Sequence, residues 1–483
     1  MIITSNIPQA AIPLVTGTES TSAATFVEPD DNTAIARLLE QAGQYDPQTH
    51  DGKRLEAYLI LNEATALWQL QTHGIPQELM ERVDLVATTI DDLVAKAILV
   101  RLPGQQSPYP PLDRTPITRD SDTTVHLVLV GLNHRCEALA LNAALVAHYP
   151  NYCRDPRLRT RITIIDNDIH ARRDALLQRY SYLFDNSYYR MLDLDEANPV
   201  CHVHRPMYEG SRQDFVDIEW EFVNGRLSNN AIRQKLSEWS ASPRQQLTIA
   251  LCHDDETQCY DEALALPEAV YRHHVTVLCH SSRPALLELL RNGAGHDTIY
   301  AYRNQCADLN RLKRLKCMAQ CVNAVYHHCH ALPAGAPITS PASIDKQTLE
   351  RLWRSVVSLP KVYSNIFNAM TMGTKMHSIG HVSDDWKTYY ALSRDEVELL
   401  TEVEHNRWSV EELILGYRPA TDAERQVVDA DMSQKSLLRQ QKIHYDLRAF
   451  TDLREDITGK NAIVYDQALI QAIPLIIKTC ITD

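Results

Sequence analysis

The residues that most restrict the fold of this chain are Val125-His126-Leu127-Val128-Leu129-Val130, a nearly continuous apolar run that stops at Gly131. Six such residues predict a strand covered on both faces, as in a parallel sheet sandwiched between helices. Cys136 to Ala147 then reads as an apolar helix, and Ile162 to Ile165 as a second strand ending in Asp166-Asn167-Asp168. Phe215 to Val223 alternates, with Val216, Ile218, Trp220 and Phe222 on one side and Asp217, Glu219 and Glu221 on the other, which is the period of a half-buried strand. Leu247–Cys252, Val275–Cys279 and Thr298–Tyr302 supply three more short strands, separated by helical stretches. Strands alternating with helices predict an α/β fold, a doubly wound and mostly parallel Rossmann-like sheet with right-handed crossovers.

Around this unit the reading is as follows. Residues 1–31 are expected to be flexible, 32–102 a helical N-terminal domain, and 103–122 a linker rich in Pro, Ser, Thr and Asp. The helical reading of 32–102 rests on Ile35, Leu38 and Leu39, and on Leu59, Leu61, Ala64 and Leu67, with Gly74-Ile75-Pro76 as a break and a further helix over Leu79–Leu99. The Rossmann-like domain spans 123–331 and closes with a helix from Leu309 to His330; a linker and helical connector span 332–392. The last block, 393–483, opens with Ser393 and Glu396 in capping-box spacing, and its first helix stops at Gly416.

The whole chain has 483 residues and a formal net charge of -14, an acidity that repels phosphate backbones and argues against nucleic acid or an anionic membrane as the main partner. No signal-peptide pattern and no long uninterrupted apolar run is present, and the eleven cysteines, all from Cys136 onward, include no CxxC pair. These features point to a cytoplasmic protein with reduced thiols.

A strand opening onto a helix through a glycine bend directs backbone amides at an anion above the sheet. Here the bend reads Gly131-Leu132-Asn133-His134-Arg135-Cys136, with Asn133 and Cys136 where a dinucleotide fingerprint has its second and third glycines. Asn133 can donate a side-chain hydrogen bond, while His134 and Arg135 bring positive charge. Asp166 and Asp168 end the second strand, where an acid would hold a ribose diol, though about 35 residues past Gly131 because of an insertion around Tyr149–Arg159. Val125 to about Tyr326 resembles the TrkA-N (KTN/RCK-type) domain of potassium-transport regulators, and Leu251-Cys252-His253-Asp254-Asp255-Glu256 resembles that family's fourth strand and acidic loop. The resemblance implies NAD(P) or another adenine nucleotide as ligand, held by Gly131, Asn133, His134, Arg135, Asp166, Asp168 and Asp254.

Glu404-His405-Asn406-Arg407-Trp408, followed by Gly416-Tyr417, is the most distinctive motif of the chain. Positions 404, 405 and 408 share one helical face, so a carboxylate, an imidazole and an indole are presented together, to a planar ligand or to the domain's own core. With Lys442-Ile443-His444-Tyr445-Asp446-Leu447, Phe450, Leu453 and Lys460 to Pro474, this block resembles the RyR domain, the small helical module named for the repeats of ryanodine receptors. Tyr363-Ser364-Asn365 and Lys375–Gly380 look like the connector of bacterial Rossmann–RyR proteins. The resemblance implies a ligand-sensing module, often grouped with nucleotide signalling or phage defence, with Glu404, His405, Arg407, Trp408, Tyr417, Lys442 and His444 as ligand contacts.

His327-His328-Cys329-His330 lacks a second ligand pair at zinc spacing, so no metal is expected, and no GxSxG, HExxH or Walker A pattern occurs. Cys252 and Cys279 read as small buried hydrophobes rather than reactive thiols. Three functions stay open at this point. The first is a homo-oligomeric nucleotide sensor with a protein effector, and the second an oxidoreductase or hydrolase using the same cleft. The third is an interaction scaffold without ligand.

Overall fold

The computed structural model describes residues 23–194, 200–206, 215–291, 296–332, 339–381, 391–454 and 462–481. Residues 1–22, part of the 332–392 connector and Lys460 lie outside them.

The N-terminal region is not the helical domain expected from its sequence. It contains a three-stranded parallel sheet in the order β1 (Ala23–Val27), β2 (Leu55–Leu61), β3 (Val83–Thr89), with Leu55 opposite Val83 and Leu61 opposite Thr89. Helices Asp31–Gln44, Ala64–His73 and Gln77–Arg82 make the crossovers. The helical spacing of Leu59, Leu61, Ala64 and Leu67 straddles a strand–helix junction. The contiguous Tyr58-Leu59-Ile60-Leu61, all buried, is the stronger signal and marks a strand covered on both faces.

The main sheet has eight strands: β4 (Thr124–Val130), β5 (Thr160–Asp166), β6 (Tyr188–Asp193), β7 (Val200–His204), β8 (Ile218–Asn224), β9 (Gln245–Leu251), β10 (Thr276–His280) and β11 (Ile299–Tyr302). Their spatial order is β11-β10-β9-β4-β5-β8-β6-β7, parallel throughout except for the edge pair β6–β7. The chain is therefore a mixed α/β protein built on a large, mostly parallel sheet. β6 and β7 were not expected from the sequence; they extend the sheet beyond β8, and their alternation is obscured by polar residues on a partly open edge.

Both faces of β4 are buried, with the period of a strand. Val125, Leu127 and Leu129 point into one apolar core, and Val128 and Val130 into a second. The second core is local to the main sheet and includes Leu236, Leu251, Cys259, Val277 and Leu287. The first is continuous through Leu59 and Val86 of the small sheet, Leu139 of the helix after β4, Leu315 and Val322 of the helix Leu309–Ala331, and Leu400 and Ile473 of the C-terminal block. Cutting a buried leucine here to alanine costs about 2–5 kcal/mol. His126 points to the second face and is satisfied by Thr163 Oγ1 at 2.8 Å and Gln245 Oε1 at 3.1 Å; burial pushes its pKa down to about 3.

The stretch 103–122 packs along the protein as a strap. Thr115 exchanges two 2.9 Å hydrogen bonds with the Gln246 side chain on β9, and Asp113 meets His377 Nδ1 at 2.8 Å. The connector folds into helices Lys346–Arg354, Leu359–Met370 and Met372–Ser378. Helix Arg394–Ile414 carries the expected capping box at Ser393 and Glu396 and ends before Gly416 at φ +81°. A last helix, Ala462–Ile481, contains a stretch, Ile463–Ile481, long and apolar enough to cross a membrane by length and composition. Half of it is buried inside the protein, where Leu469, Ile473 and Ile476 join the first core. No disulfide forms among the described residues.

Candidate functional site

In a parallel sheet of this kind, ligands sit beyond the carboxyl ends of the strands where the winding reverses. That point lies between β4 and β9, because the chain leaves β4 toward β5 on one side and later returns to β9 on the other. Gly131, Asp166 and the His253 loop meet there.

Gly131 turns the chain at φ +88°, a conformation open to glycine and strained for other residues, with its N–H donating to Ile165 O at 2.9 Å. Asn133 caps the following helix, its Oδ1 accepting from Cys136 N at 3.0 Å. The Asn133 side-chain amide donates to Cys252 O at 2.6 Å and to Asp254 Oδ1 at 2.9 Å. Arg135 reaches the same loop, donating from Nη1 to Cys252 O at 3.1 Å and lying 3.8 Å from Asp91 Oδ1 of the N-terminal region. Asn133 and Arg135 thus tie β4 to β9, and Arg135 also ties both to the small-sheet unit.

Asp166 is almost fully buried. Its carboxylate accepts from Leu132 N and Asp168 N, each at 2.7 Å, and from Arg172 Nη1 at 3.1 Å. Those bonds define the loop from within, so the ribose-holding role read from the sequence is replaced by a loop-fixing one. His134, Asp168 and Asp254 remain exposed on the rim.

The sequence did not single out His253, the residue that closes the crevice. Its imidazole lies over Gly131, with Nδ1 2.7 Å from the place a Cβ would occupy. Nε2 meets Glu262 at 2.8 Å and Gln258 Nε2 at 3.2 Å. Burial opposes the charge on this ring, but Glu262 overcomes it and lifts the pKa of His253 above the usual histidine range. The ring occupies the space directly over the glycine bend. The obstruction is a side chain, so turning it aside leaves a glycine surface with an imidazole beside it. A histidine directly before the acidic run Asp254-Asp255-Glu256 of a strand-end loop was the available signal.

The RyR-like motif lies inside the protein. Glu404, His405 and Arg407 are each 0–1% exposed. Arg407 donates from Nη2 to Glu404 Oε1 at 2.7 Å and also pairs with Glu411; Asn368 Nδ2 meets Glu404 Oε1 at 2.7 Å and Lys375 binds Glu404 Oε2. Burial works against the Glu404 charge, yet Arg407 and Lys375 hold its pKa down to about 2. Burial, reinforced by Glu412 and only partly offset by Arg407, pushes Glu411 up to about 7. His405 Nε2 lies 2.8 Å from Arg448 O. Trp408 is half-buried, edge-on to His444 at 4.8 Å between ring centres, and burial lowers the His444 pKa to about 3. Lys442 Nζ donates to Thr72 O at 2.7 Å and Leu415 O at 3.2 Å and lies 4.2 Å from the centre of the Tyr417 ring. These residues fall into two groups, Glu404 with Arg407, and His405, Trp408, Tyr417, Lys442 and His444 in ring contact, and both groups face protein partners. They form a buried ionic core and a junction with the N-terminal region.

The remaining candidates are structural. His327 meets Ser355 Oγ at 3.4 Å and His330 meets Tyr465 OH at 3.3 Å, in different directions, and no metal-holding group occurs among the described residues. Cys252 and Cys279 are fully buried, and burial pushes the Cys279 thiol up to about 12. Comparison with protein-family models, curated proteins and solved structures finds no match for the chain.

Proposed function

We propose that this protein is a non-catalytic nucleotide sensor. In this reading the main sheet is of Rossmann type, the crevice between β4 and β9 takes NAD(P) or another adenine nucleotide, and an RyR-type C-terminal block relays occupancy to a protein effector within a cytoplasmic homo-oligomer. The observation that carries the reading is the strand order. Leaving aside β6 and β7, the sequence β8-β5-β4-β9-β10-β11 is the 3-2-1-4-5-6 order of dinucleotide-binding sheets, with a glycine bend at its reversal point. Binding turns His253 aside, and because His253 is held by Glu262 that movement is the step a sensor would report. An enzymatic role is less well supported, since the titratable groups at the bend are engaged by protein: Asp166 by two amides and Arg172, His253 by Glu262.

A second reading, a ligand-free interaction scaffold, is favoured by the same imidazole in its observed position. Mass spectrometry of small molecules released from the purified protein, followed by calorimetric titration of NAD⁺, NADPH and ATP into wild type and His253→Ala, separates the two. A co-purifying nucleotide, or binding that tightens in His253→Ala, supports the sensor. Absence of binding to both proteins leaves the scaffold. Turnover of NAD⁺ or ATP would favour the enzyme.

A further inference from the structure

The strap formed by residues 103–122 builds the wall of an open-mouthed cavity of about 440 Å³, where the end of helix Ile90–Leu99, the strap and the helix Leu309–Ala331 meet. None of the crevice residues lines it. Its volume lies within the ~300–1,000 Å³ typical of small-molecule sites. Leu99 and Tyr109 give it apolar surface, while Arg101, Ser107 and Arg311 give it polar surface.

Arg311 is the unusual member. It is 4% exposed, its Nη2 donates to Val100 O, and its buried Nε has no partner. It forms no salt bridge among the described residues. The acid that acts on it, Asp308, is already engaged: Oδ1 accepts from Asn310 N at 2.9 Å and Arg311 N at 3.2 Å, and Oδ2 accepts from Gln105 Nε2 at 3.1 Å. Arg101, in contrast, is balanced by Asp113 at 3.4 Å. A further guanidinium, Arg314, lies beside the Gly104 wall, with Nη2 3.3 Å from where a Cβ on Gly104 would stand, close enough for its charge to act on Arg311. A buried guanidinium whose nearby acid is already bonded elsewhere is seldom retained unless an anion supplies the balance. Burial also brings the Arg311 pKa down to about 10, the direction expected of a cation lacking a partner.

We propose that this cavity binds a small organophosphate of mononucleotide size, its phosphate neutralising Arg311 and Arg314 and its organic part lying on Leu99 and Tyr109. Because the walls come from three parts of the chain, such a ligand would fasten the N-terminal region to the main-sheet domain.

The test uses the full-length protein, with AMP and inorganic phosphate as probes, read by thermal melting and calorimetry. AMP should raise the melting temperature of wild type, and phosphate should compete with it. Arg311→Gln and Ser107→Glu should each weaken AMP binding by at least about tenfold. Ser107→Glu adds a negative charge to the wall and leaves Arg311 in place, so it decides the matter if Arg311→Gln does not fold. His253→Ala, which should tighten binding in the crevice, should leave this affinity unchanged, and that separates the two sites. No stabilisation by either probe at about 10 mM, or AMP affinity unaltered by Ser107→Glu, overturns the proposal.

Discussion

Nδ1 of His253 lies 2.7 Å from the point where a Cβ on Gly131 would stand, closer than real Cβ contacts come. Two separate costs therefore attend Gly131→Ala, the positive φ of +88° and the collision with the ring. Together they should destabilise the protein by about 1–3 kcal/mol. In the double variant with His253→Ala the collision disappears and only the backbone part, about 1 kcal/mol, remains. Urea unfolding of the four proteins in a double-mutant cycle measures this directly. Additive losses would show that the ring does not press on the bend.

Asp166 supports the loop from below, so its removal should be felt without any ligand. Asp166→Asn keeps the shape of the side chain but removes the charge that accepts from Leu132 N, Asp168 N and Arg172. A loss of about 1–3 kcal/mol is expected, because hydrogen bonds to a buried ionised group exceed neutral ones. A residue serving only a bound ribose would leave the stability of the unliganded protein as it was, and equal unfolding midpoints would favour that role.

The Glu411 carboxyl supplies a pH dependence with a defined sign. Its pKa in the folded protein, raised to about 7, exceeds the ordinary glutamate value of 4.5, so between those values the folded state holds more protons than the unfolded state. Stability contributed by this group is thus present below about 4.5 and lost as the pH rises toward 7. Glu411→Gln, which is neutral throughout, should become more stable relative to wild type over that interval. A difference between the two proteins that stays constant from pH 4.5 to 7 would show that Glu411 is ionised across it.

Most of the main sheet was legible in the sequence because β4, β5, β9 and β10 are apolar runs buried on both faces, and β11 is a short apolar run at the sheet edge. The small sheet was not, since Leu59, Leu61, Ala64 and Leu67 satisfy helical spacing across a junction where a strand ends and a helix starts. The bend after β4 was marked in the sequence by Gly131 and the end of β5 by Asp166, but what Asp166 does depends on Leu132 N, 34 positions away, and on Arg172. The RyR-like face was recognised as one face of a helix. Its counter-ion Lys375 lies 29 positions upstream on another helix, and no local pattern links the two. Pairings of this kind are set by tertiary packing, which periodicity does not encode.

Lys442 joins two regions that the sequence treats as separate domains. Its ammonium bridges Thr72 O, in the last turn of helix Ala64–His73, and Leu415 O, just past helix Arg394–Ile414, while Trp68 Nε1 donates to Ile414 O at 3.1 Å beside it. Lys442→Met keeps the length of the stem over Tyr417 and removes both charged hydrogen bonds, a loss of about 1–3 kcal/mol. The loss should be local: amide hydrogen exchange should quicken in residues 64–73 and around Leu415 while β4 and β5 stay protected. Lys442→Arg, which keeps the charge, should recover part of that protection. Unchanged exchange in both segments of Lys442→Met would mean that the junction is held by Trp68 and the apolar core alone. The ammonium would then be available for the ligand role that the motif implies.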